Sequence, residues 1–251
     1  MTNKRYYKKP KSEKRLIFFS GAGLSQPSGI STFRDSDGLW ENHNVEDICN
    51  EKTWKKNFEL VHDFYNKRRT QLNEVEPNIA HNTIKEIIDK IGSENVYNLT
   101  QNVDDLFSRL DCPNTQLHGE LTKMECTACG NIWEIGYKSF NITEDRCTKC
   151  NSLKGVKPHI VFFYGQAPNY SIMYDAFDHL YNKDTIVVII GTMGNVVPIQ
   201  HYIQNKPCKK ILCNMEESPH INENDFDKFY FESIETAIPK IKEDIYNFWF
   251  N

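Results

Sequence analysis

Long hydrophobic runs are missing from this sequence. The longest strongly apolar run, residues 185–190, has six residues, whereas a membrane helix needs about 20. Residues 16–19 form an apolar stretch of only four, and a secretory signal needs about 7–15. Repeats and low-complexity segments are also missing, and 12 Gly and 10 Pro in 251 residues are ordinary for a globular protein. We therefore expect a cytoplasmic protein without membrane contact, and take a monomer as the default.

No charge of one sign dominates the chain as a whole, which has a formal net charge of −4. Residues 1–15 nevertheless hold seven Lys or Arg and one acid, so residues 16–251 carry −10. Charged chain ends are commonly solvated and disordered, and we predict a basic disordered tail over residues 1–14. A nucleic-acid-binding arm is the disfavoured alternative, because the acidic remainder would repel phosphate.

The eight cysteines do not form the pattern of a disulfide framework. Four of them lie in two C-x-x-C pairs separated by 17 residues, Cys126, Cys129, Cys147 and Cys150. Two such pairs supply four thiolates to one tetrahedral Zn²⁺, and spacers of about 15–20 residues are typical of structural zinc. Because four ligands leave no open position, we predict one structural zinc ion. A redox dithiol, the alternative, would need only one pair.

Short apolar segments alternate with amphipathic ones along the chain. We predict strands at residues 15–20, 95–100, 115–118, 159–164, 185–190, 209–213 and 228–231, and helices at 59–72, 78–91, 173–182, 196–204 and 234–248. Near-continuous apolar strands alternating with helices are typical of a doubly wound, Rossmann-like parallel sheet. We assign residues 15–39, 76–122 and 158–251 to that domain. A helical insertion at 40–75 and a zinc-ribbon insertion at 123–157 would form a smaller second domain.

A glycine-rich turn follows the first predicted strand. Gly21, Ala22, Gly23 and Ser25 could let the backbone approach a pyrophosphate, whose charge the following N–H groups would hold. The next glycine, Gly29, is too distant for a regular G-x-G-x-x-G motif, and no ribose-binding acid is evident at the expected distance. From the residues alone, an ordinary strand-to-helix loop remains an alternative.

Further motifs make the pattern specific. They are the segment Ser28-Gly-Ile-Ser-Thr-Phe-Arg34, the segment Thr100-Gln-Asn-Val-Asp104, the dipeptide His118-Gly119 and the dipeptide Gly191-Thr192. With the cysteine pairs in this order, residues 15–250 resemble the sirtuin family of NAD-dependent protein deacylases. The resemblance implies that NAD is bound, that acylated-lysine proteins are the substrates, and that nicotinamide and O-acyl-ADP-ribose are released.

The resemblance also implies roles for individual residues. His118 and Asn102 correspond to catalytic residues, with His118 as the base, and an imidazole that titrates near neutrality suits that task. Asn102 and Asp104 correspond to the pocket for nicotinamide and its ribose, although both could instead be turn formers at a strand end. The remaining residues implied in cofactor binding are Gly21, Ala22, Gly23, Ser25, Phe33, Arg34, Gln101, Gly191, Thr192, Met193, Asn214 and Glu216. Met193 replaces a family serine.

The residues for substrate binding come from two segments. Ile160, Val161 and Phe163 lie where the family adds a substrate peptide as an extra strand, and the adjoining Tyr164 is either an insertion or a replacement of the family glycine. Tyr65 and Arg68, at i and i+3 of a predicted helix, resemble the Tyr-x-x-Arg signature of class III sirtuins, which remove succinyl, malonyl and glutaryl groups. Arginine can hold a terminal carboxylate with two parallel hydrogen bonds. Taken alone, such a pair is more often a buried ring and a solvent-facing cation.

Two other functions remain open at this stage. The same pocket could hydrolyse NAD or transfer ADP-ribose, because both reactions begin with the departure of nicotinamide. A non-catalytic NAD-binding interaction module is the second alternative, although it would have no need of a base such as His118. The sequence therefore predicts an NAD-dependent deacylase that prefers acidic acyl groups and removes acetyl groups more weakly.

Overall fold

The computed structural model describes residues 13–31, 39–40 and 43–251. In chain order its strands are β1 (Arg15–Ser20), β2 (Leu39–Trp40), β3 (His43–Asn44), β4 (Val96–Thr100), β5 (Thr115–Gln116), β6 (Gly119–Cys126), β7 (Ile132–Glu134), β8 (Val156–Ile160), β9 (Thr185–Ile190), β10 (Lys209–Asn214) and β11 (Lys228–Phe231). Its α-helices are α1 (Val45–Ile48), α2 (Phe58–Leu72), α3 (Ile79–Ile91), α4 (Leu106–Arg109), α5 (Tyr170–Asp178), α6 (Ile199–Ile203) and α7 (Ile234–Phe250). Among the residues described, no helix is long and apolar enough to cross a membrane.

Six strands form a parallel sheet in the order β11-β10-β9-β1-β4-β5. Side chains of a strand point alternately to its two faces, and in β1 both sets are buried. Leu16 and Phe18 pack with residues of α3 and α7, whereas Ile17 and Phe19 pack with residues of α5 and α6. Burial on both faces explains why these strands are almost continuously apolar.

The strand order places a topological switch point between β1 and β9. After β1 the chain adds β4 and β5 on one side, and it later returns to add β9, β10 and β11 on the other. In open parallel sheets, ligands bind in the crevice at the carboxyl ends of the strands at this point. The residues that follow β1, β4, β9 and β10 therefore lie around the expected ligand site.

A smaller antiparallel sheet lies in the order β7-β6-β8. It carries its own apolar cluster, which includes Met124, Phe140 and Val156. The fully buried Arg69 of α2 donates through Nε to the carbonyl oxygen of Leu121 in β6 at 2.8 Å. This bond connects the helical segment to the cysteine-bearing one. The fold class predicted from the sequence, a Rossmann-like sheet with a smaller zinc-binding and helical part, is confirmed.

One predicted strand is wrong in its position. The sequence places a strand at residues 159–164, but β8 begins at Val156, pairs antiparallel with β6 and ends at Ile160. A turn follows, in which the N–H of Gly165 donates to the carbonyl oxygen of Phe162 at 2.9 Å and Tyr164 has φ of 66°. A left-handed residue cannot continue a strand, so the apolar run passes through a turn.

Candidate active site at the carboxyl ends of the parallel strands

Three glycines bring the loops after β1 and β9 into backbone contact. A Cβ atom on Gly21 would lie 2.7 Å from the carbonyl oxygen of Gly191. A Cβ atom on Gly23 would lie 2.6 Å from the Cα of Gly191. Gly191 itself has φ of 61°, which favours glycine. The N–H of Gly21 donates to the carbonyl oxygen of Ile190 at 2.8 Å, which ties the two loops together. Larger residues would separate the loops that form the crevice.

Polar side chains after β4 hold the glycine loop in place. Nδ2 of Asn102 donates to the carbonyl oxygen of Gly21 at 3.1 Å and to Oγ of Ser25 at 2.9 Å. Oγ of Ser25 in turn donates to Oδ2 of Asp104 at 2.8 Å. Asn102 and Asp104 therefore both help to order this loop.

The Asp104 carboxyl has a raised pKa. Burial raises its pKa to about 6, while hydrogen bonds from Ser25 and from the N–H of Leu106 oppose this rise. The carboxylate is therefore the main form at neutral pH, but the carboxylic acid forms under mildly acidic conditions. A cavity group that changes charge near pH 6 is a typical feature of a functional site.

His118 lies in the turn between the short edge strand β5, which ends at Gln116, and β6, and it is half-buried. Its Nδ1 lies 3.0 Å from the carbonyl oxygen of Gln101. A carbonyl can only accept a hydrogen bond, so Nδ1 carries the proton and Nε2 of the neutral ring carries the lone pair. Burial lowers the pKa of His118 below its ordinary value, which favours the neutral ring that a general base requires.

Tyr170, which sequence reasoning missed, lies beside this imidazole. Its hydroxyl oxygen is 2.8 Å from Nε2 of His118, and the two ring centroids are 5.9 Å apart. Burial raises the pKa of Tyr170 to about 12, so the phenol keeps its proton at physiological pH. No sequence motif surrounds Tyr170, and only the packing of the N-terminus of α5 against this edge places it here.

The loops after β9 and β10 form the other wall of the crevice. The N–H of Thr192 donates to Oδ1 of the buried Asn214 at 3.1 Å, and Nδ2 of Asn214 donates back to the Thr192 carbonyl at 3.0 Å. Nε2 of Gln101 donates to Oγ1 of Thr192 at 3.1 Å. At Met193, Oγ of Ser218 donates to the backbone carbonyl at 2.6 Å. A hydroxyl from elsewhere in the chain thus supports the loop in which the family serine is missing.

One cavity of about 840 Å³ brings the predicted residues together. Ligand pockets typically measure about 300–1,000 Å³. Its lining includes every predicted cofactor residue that the structure describes: Gly21, Ala22, Gly23, Ser25, Gln101, Asn102, Asp104, Gly191, Thr192, Met193, Asn214 and Glu216. His118 and the predicted substrate residues Tyr65, Arg68, Ile160, Val161 and Phe163 line the same cavity. Phe33 and Arg34 lie outside the described residues.

The predicted acyl-binding pair lies on helix α2. Tyr65 is 1% exposed and Arg68 is 5% exposed, so the pair is not a buried ring with a solvent-facing cation. NH1 of Arg68 donates to Oε1 of Gln71 at 3.4 Å, and its guanidinium lies over the Phe64 ring at 5.5 Å from the centroid. Burial raises the pKa of Tyr65 well above its ordinary value, so the phenol stays protonated. Cys49, a small residue, lines the cavity here.

The predicted peptide-binding segment is partly engaged within the chain. The N–H of Val161 donates to the carbonyl oxygen of His118 at 2.9 Å. The N–H of Phe163 donates to the Cys49 carbonyl at 2.9 Å, and the Phe163 carbonyl accepts from the N–H of Glu51 at 3.0 Å. A peptide strand would have to use other backbone groups of this segment. Tyr164 occupies the left-handed turn position that normally favours glycine.

The four predicted zinc ligands meet at one point beside the small antiparallel sheet. The Sγ atoms of Cys126, Cys129, Cys147 and Cys150 all lie within 4.8 Å of one another, and two of the pairs are 3.6 Å apart. Tetrahedral coordination at about 2.3 Å requires sulfur separations of about 3.8 Å. The cluster therefore fits Zn²⁺ with no open position. Such a site stabilises the module and takes no part in chemistry.

Fold and site together define a Rossmann-type nucleotide-binding enzyme that carries a structural zinc module. The model of the Sir2 family matches residues 21–198. The chain belongs to the Sir2 family, the sirtuins.

Similar proteins come from several bacteria. The NAD-dependent protein deacylase of Campylobacter jejuni is 43% identical over 236 residues, which cover 94% of this chain and 97% of that protein. The protein of the same name from Helicobacter hepaticus is 41% identical, covering 94% and 98% of the two chains. The Escherichia coli NAD-dependent protein deacylase is 33% identical, covering 92% and 84%. A solved complex of a Sir2 homologue with NAD has a TM-score of 0.77 at 27% identity and covers 93% and 90% of the two chains.

Proposed function

We propose that this protein is an NAD-dependent protein-lysine deacylase that prefers acyl groups ending in a carboxylate, such as succinyl, malonyl and glutaryl. The deacylase activity rests on membership of the Sir2 family and on relatives that carry this name. The acyl preference rests on one observation, that Tyr65 and Arg68 line the same cavity as His118.

The chemical surroundings of Arg68 favour an anionic ligand. Its guanidinium is almost fully buried, and apolar side chains such as Val45 and Leu72 line the cavity with it. In such a cavity of low dielectric, a hydrogen bond between a guanidinium and a carboxylate is stronger than it is in water. A carboxylate at the end of an acyl chain could accept two parallel hydrogen bonds from the guanidinium, and the protonated Tyr65 phenol could donate another. An acetyl group has no terminal carboxylate and would gain none of these bonds.

The residues near His118 are suited to moving a proton. When bound, NAD supplies an electrophilic ribose carbon to the acyl oxygen, with nicotinamide as the leaving group. The Gln101 carbonyl holds the Nδ1 proton of His118, so that Nε2 is the atom that can accept a proton from a ribose hydroxyl. The Asp104 carboxylate can accept a hydrogen bond from the nicotinamide amide. Gly21 and Gly23 permit the close loop packing that a pyrophosphate needs.

Arg68→Met tests the acyl preference most specifically. We expect the variant to lose about 10- to 100-fold in kcat/KM for succinyl-lysine peptide, because hydrogen bonds to a charged group contribute about 1.5–3 kcal/mol. Acetyl-lysine peptide should be cleaved at nearly the original rate. Lys67→Met is the matched control, since it removes a neighbouring cation whose side chain is 72% exposed and lies outside this cavity.

Two results would contradict the acyl assignment. One is equal loss of both activities in Arg68→Met, which would make the residue structural. The other is a comparable loss of succinyl preference in Lys67→Met, which would show that the general charge of the surface attracts the substrate.

A further inference from the structure

The hydroxyl of Tyr170 holds the one imidazole nitrogen that the proposed chemistry requires. Nδ1 of His118 donates to the Gln101 carbonyl, which leaves Nε2 as the acceptor in the neutral ring. The Tyr170 oxygen is 2.8 Å from Nε2, so the phenol is the donor of this bond. A pyridine-type nitrogen has a single in-plane lone pair, and in the free protein this lone pair is already occupied.

The placement of Tyr170 is built into the fold. The residue is the first of helix α5, and its N–H donates to the Ala167 carbonyl at 3.0 Å. The preceding Asn169 donates through Nδ2 to the Gln116 carbonyl at 2.7 Å, on the edge strand just before His118. The Tyr170 ring then meets Tyr174 edge-on, with centroids 6.3 Å apart. The start of α5 is therefore fastened to β5, two residues before the imidazole of His118.

We propose that Tyr170 is a positioning residue that occupies the Nε2 lone pair of His118 in the free protein and yields it to a ribose hydroxyl when NAD binds. This inference rests on the proposed function, in which Nε2 accepts a proton from the ribose. The phenol and the ribose hydroxyl are both donors, and they compete for one acceptor. Each NAD molecule that binds must break the Tyr170 bond. The same bond keeps the ring in the tautomer whose lone pair is on Nε2.

Tyr170→Phe separates competition from packing, because it removes the hydroxyl and keeps the ring. We expect NAD to bind about two- to tenfold more tightly to the variant, since one net hydrogen bond no longer has to be broken. In ¹⁵N-histidine-labelled protein without NAD, the Nε2 signal of His118 should move towards the position of an unbonded pyridine-type nitrogen. The His118→Tyr variant assigns the signal, and calorimetry measures the affinity without any turnover.

Tyr174→Phe is the matched control. It removes a hydroxyl one helical turn away, from a ring that touches Tyr170 but lies outside the cavity lining. It should change neither the affinity for NAD nor the His118 signal. The inference stands only if Tyr170→Phe both binds NAD more tightly and shifts the Nε2 signal, and if Tyr174→Phe does neither. Unchanged or weaker NAD binding in Tyr170→Phe, or an unmoved Nε2 signal, overturns it.

The experiment also separates this inference from the proposed function. Both readouts are obtained on protein that is not turning over. If the wild type deacylates peptides but Tyr170→Phe has unaltered NAD binding, only the role of Tyr170 is wrong. If the predicted shifts occur and no acyl peptide is cleaved, the hydroxyl still holds the base and the assigned reaction is wrong.

Discussion

The two ends of the cavity are built in different ways. At the sheet end, backbone contacts set the shape, because Gly21 and Gly23 pack directly on Gly191 and leave no space for a side chain. At the end near α2, buried side chains set the shape, and they include residues far apart in the chain, such as Arg68 and Ile160. Backbone packing tolerates little change, whereas side chains can be exchanged without moving the loops.

Because of this difference, we expect the two ends to control different properties of the reaction. The sheet end contains the groups that every NAD-dependent turnover would need, so variants there should affect all acyl substrates equally. In the proposed function the α2 end would contact only the part of the substrate that varies, so variants there should change the ratio between acyl groups. Arg68→Met, described above, is the variant expected to change that ratio.

His118→Tyr should have the largest effect and should not distinguish between acyl groups. Removing a general base typically costs about 10²–10⁴-fold in rate, and we expect at least this loss for both succinyl- and acetyl-lysine peptides. Zinc content and thermal midpoint should stay close to the wild-type values, because the cysteine cluster lies in a different part of the fold. Retained deacylation of either peptide would exclude His118 as the base.

Asp104→Asn should change the pH dependence of the sheet end. Because the pKa of Asp104 is raised to about 6, the wild-type kcat/KM for NAD should fall as the pH drops through 6 and the acceptor becomes protonated. The variant should lack this fall and should bind NAD more weakly than the wild type above pH 6, where the wild-type carboxylate is ionised, with the succinyl-to-acetyl ratio unchanged. If kcat/KM of the variant still falls at the same pH, the fall belongs to another titrating group.

The same carboxyl has a predictable effect on stability. Its folded-state pKa is higher than the unfolded value of about 3.8, so the folded protein binds the proton more tightly. Stability therefore decreases as the pH rises from about 4 to 6, because ionisation is less favourable in the folded state. Asp104→Asn should remove this decrease. A thermal midpoint that varies with pH identically in both proteins would contradict the raised pKa.

The sequence predicts the sheet end well because short, local motifs encode it. The bounds of β1 and β9 agree with the predicted strands, since apolar runs buried on both faces are easy to read. The two cysteine pairs meet as their spacing predicts. The predicted strand after Pro158 was wrong in its position, because the local apolar pattern does not show that Tyr164 adopts a left-handed backbone conformation in a turn.

Contacts between distant segments are the part that the sequence did not predict. Tyr170 reaches His118 only because α5 packs beside the edge strand, and no spacing rule connects residues 52 positions apart. The support that Ser218 gives to the Met193 carbonyl is of the same kind. The positions of Tyr65 and Arg68 along α2 were predictable, but their almost complete burial depends on the packing of the whole helical segment.

A panel of lysine peptides tests the central claim, that one cavity joins an NAD site to a site for acidic acyl groups. Purified protein, NAD and one peptide sequence are combined, with the lysine carrying an acetyl group, a succinyl group or the uncharged amide of that succinyl group. Products are measured by mass. We predict that kcat/KM is highest for succinyl-lysine and falls about 10- to 100-fold for its amide, which has the same length without the charge. A higher kcat/KM for acetyl-lysine, or equal values for succinyl-lysine and its amide, would contradict the account.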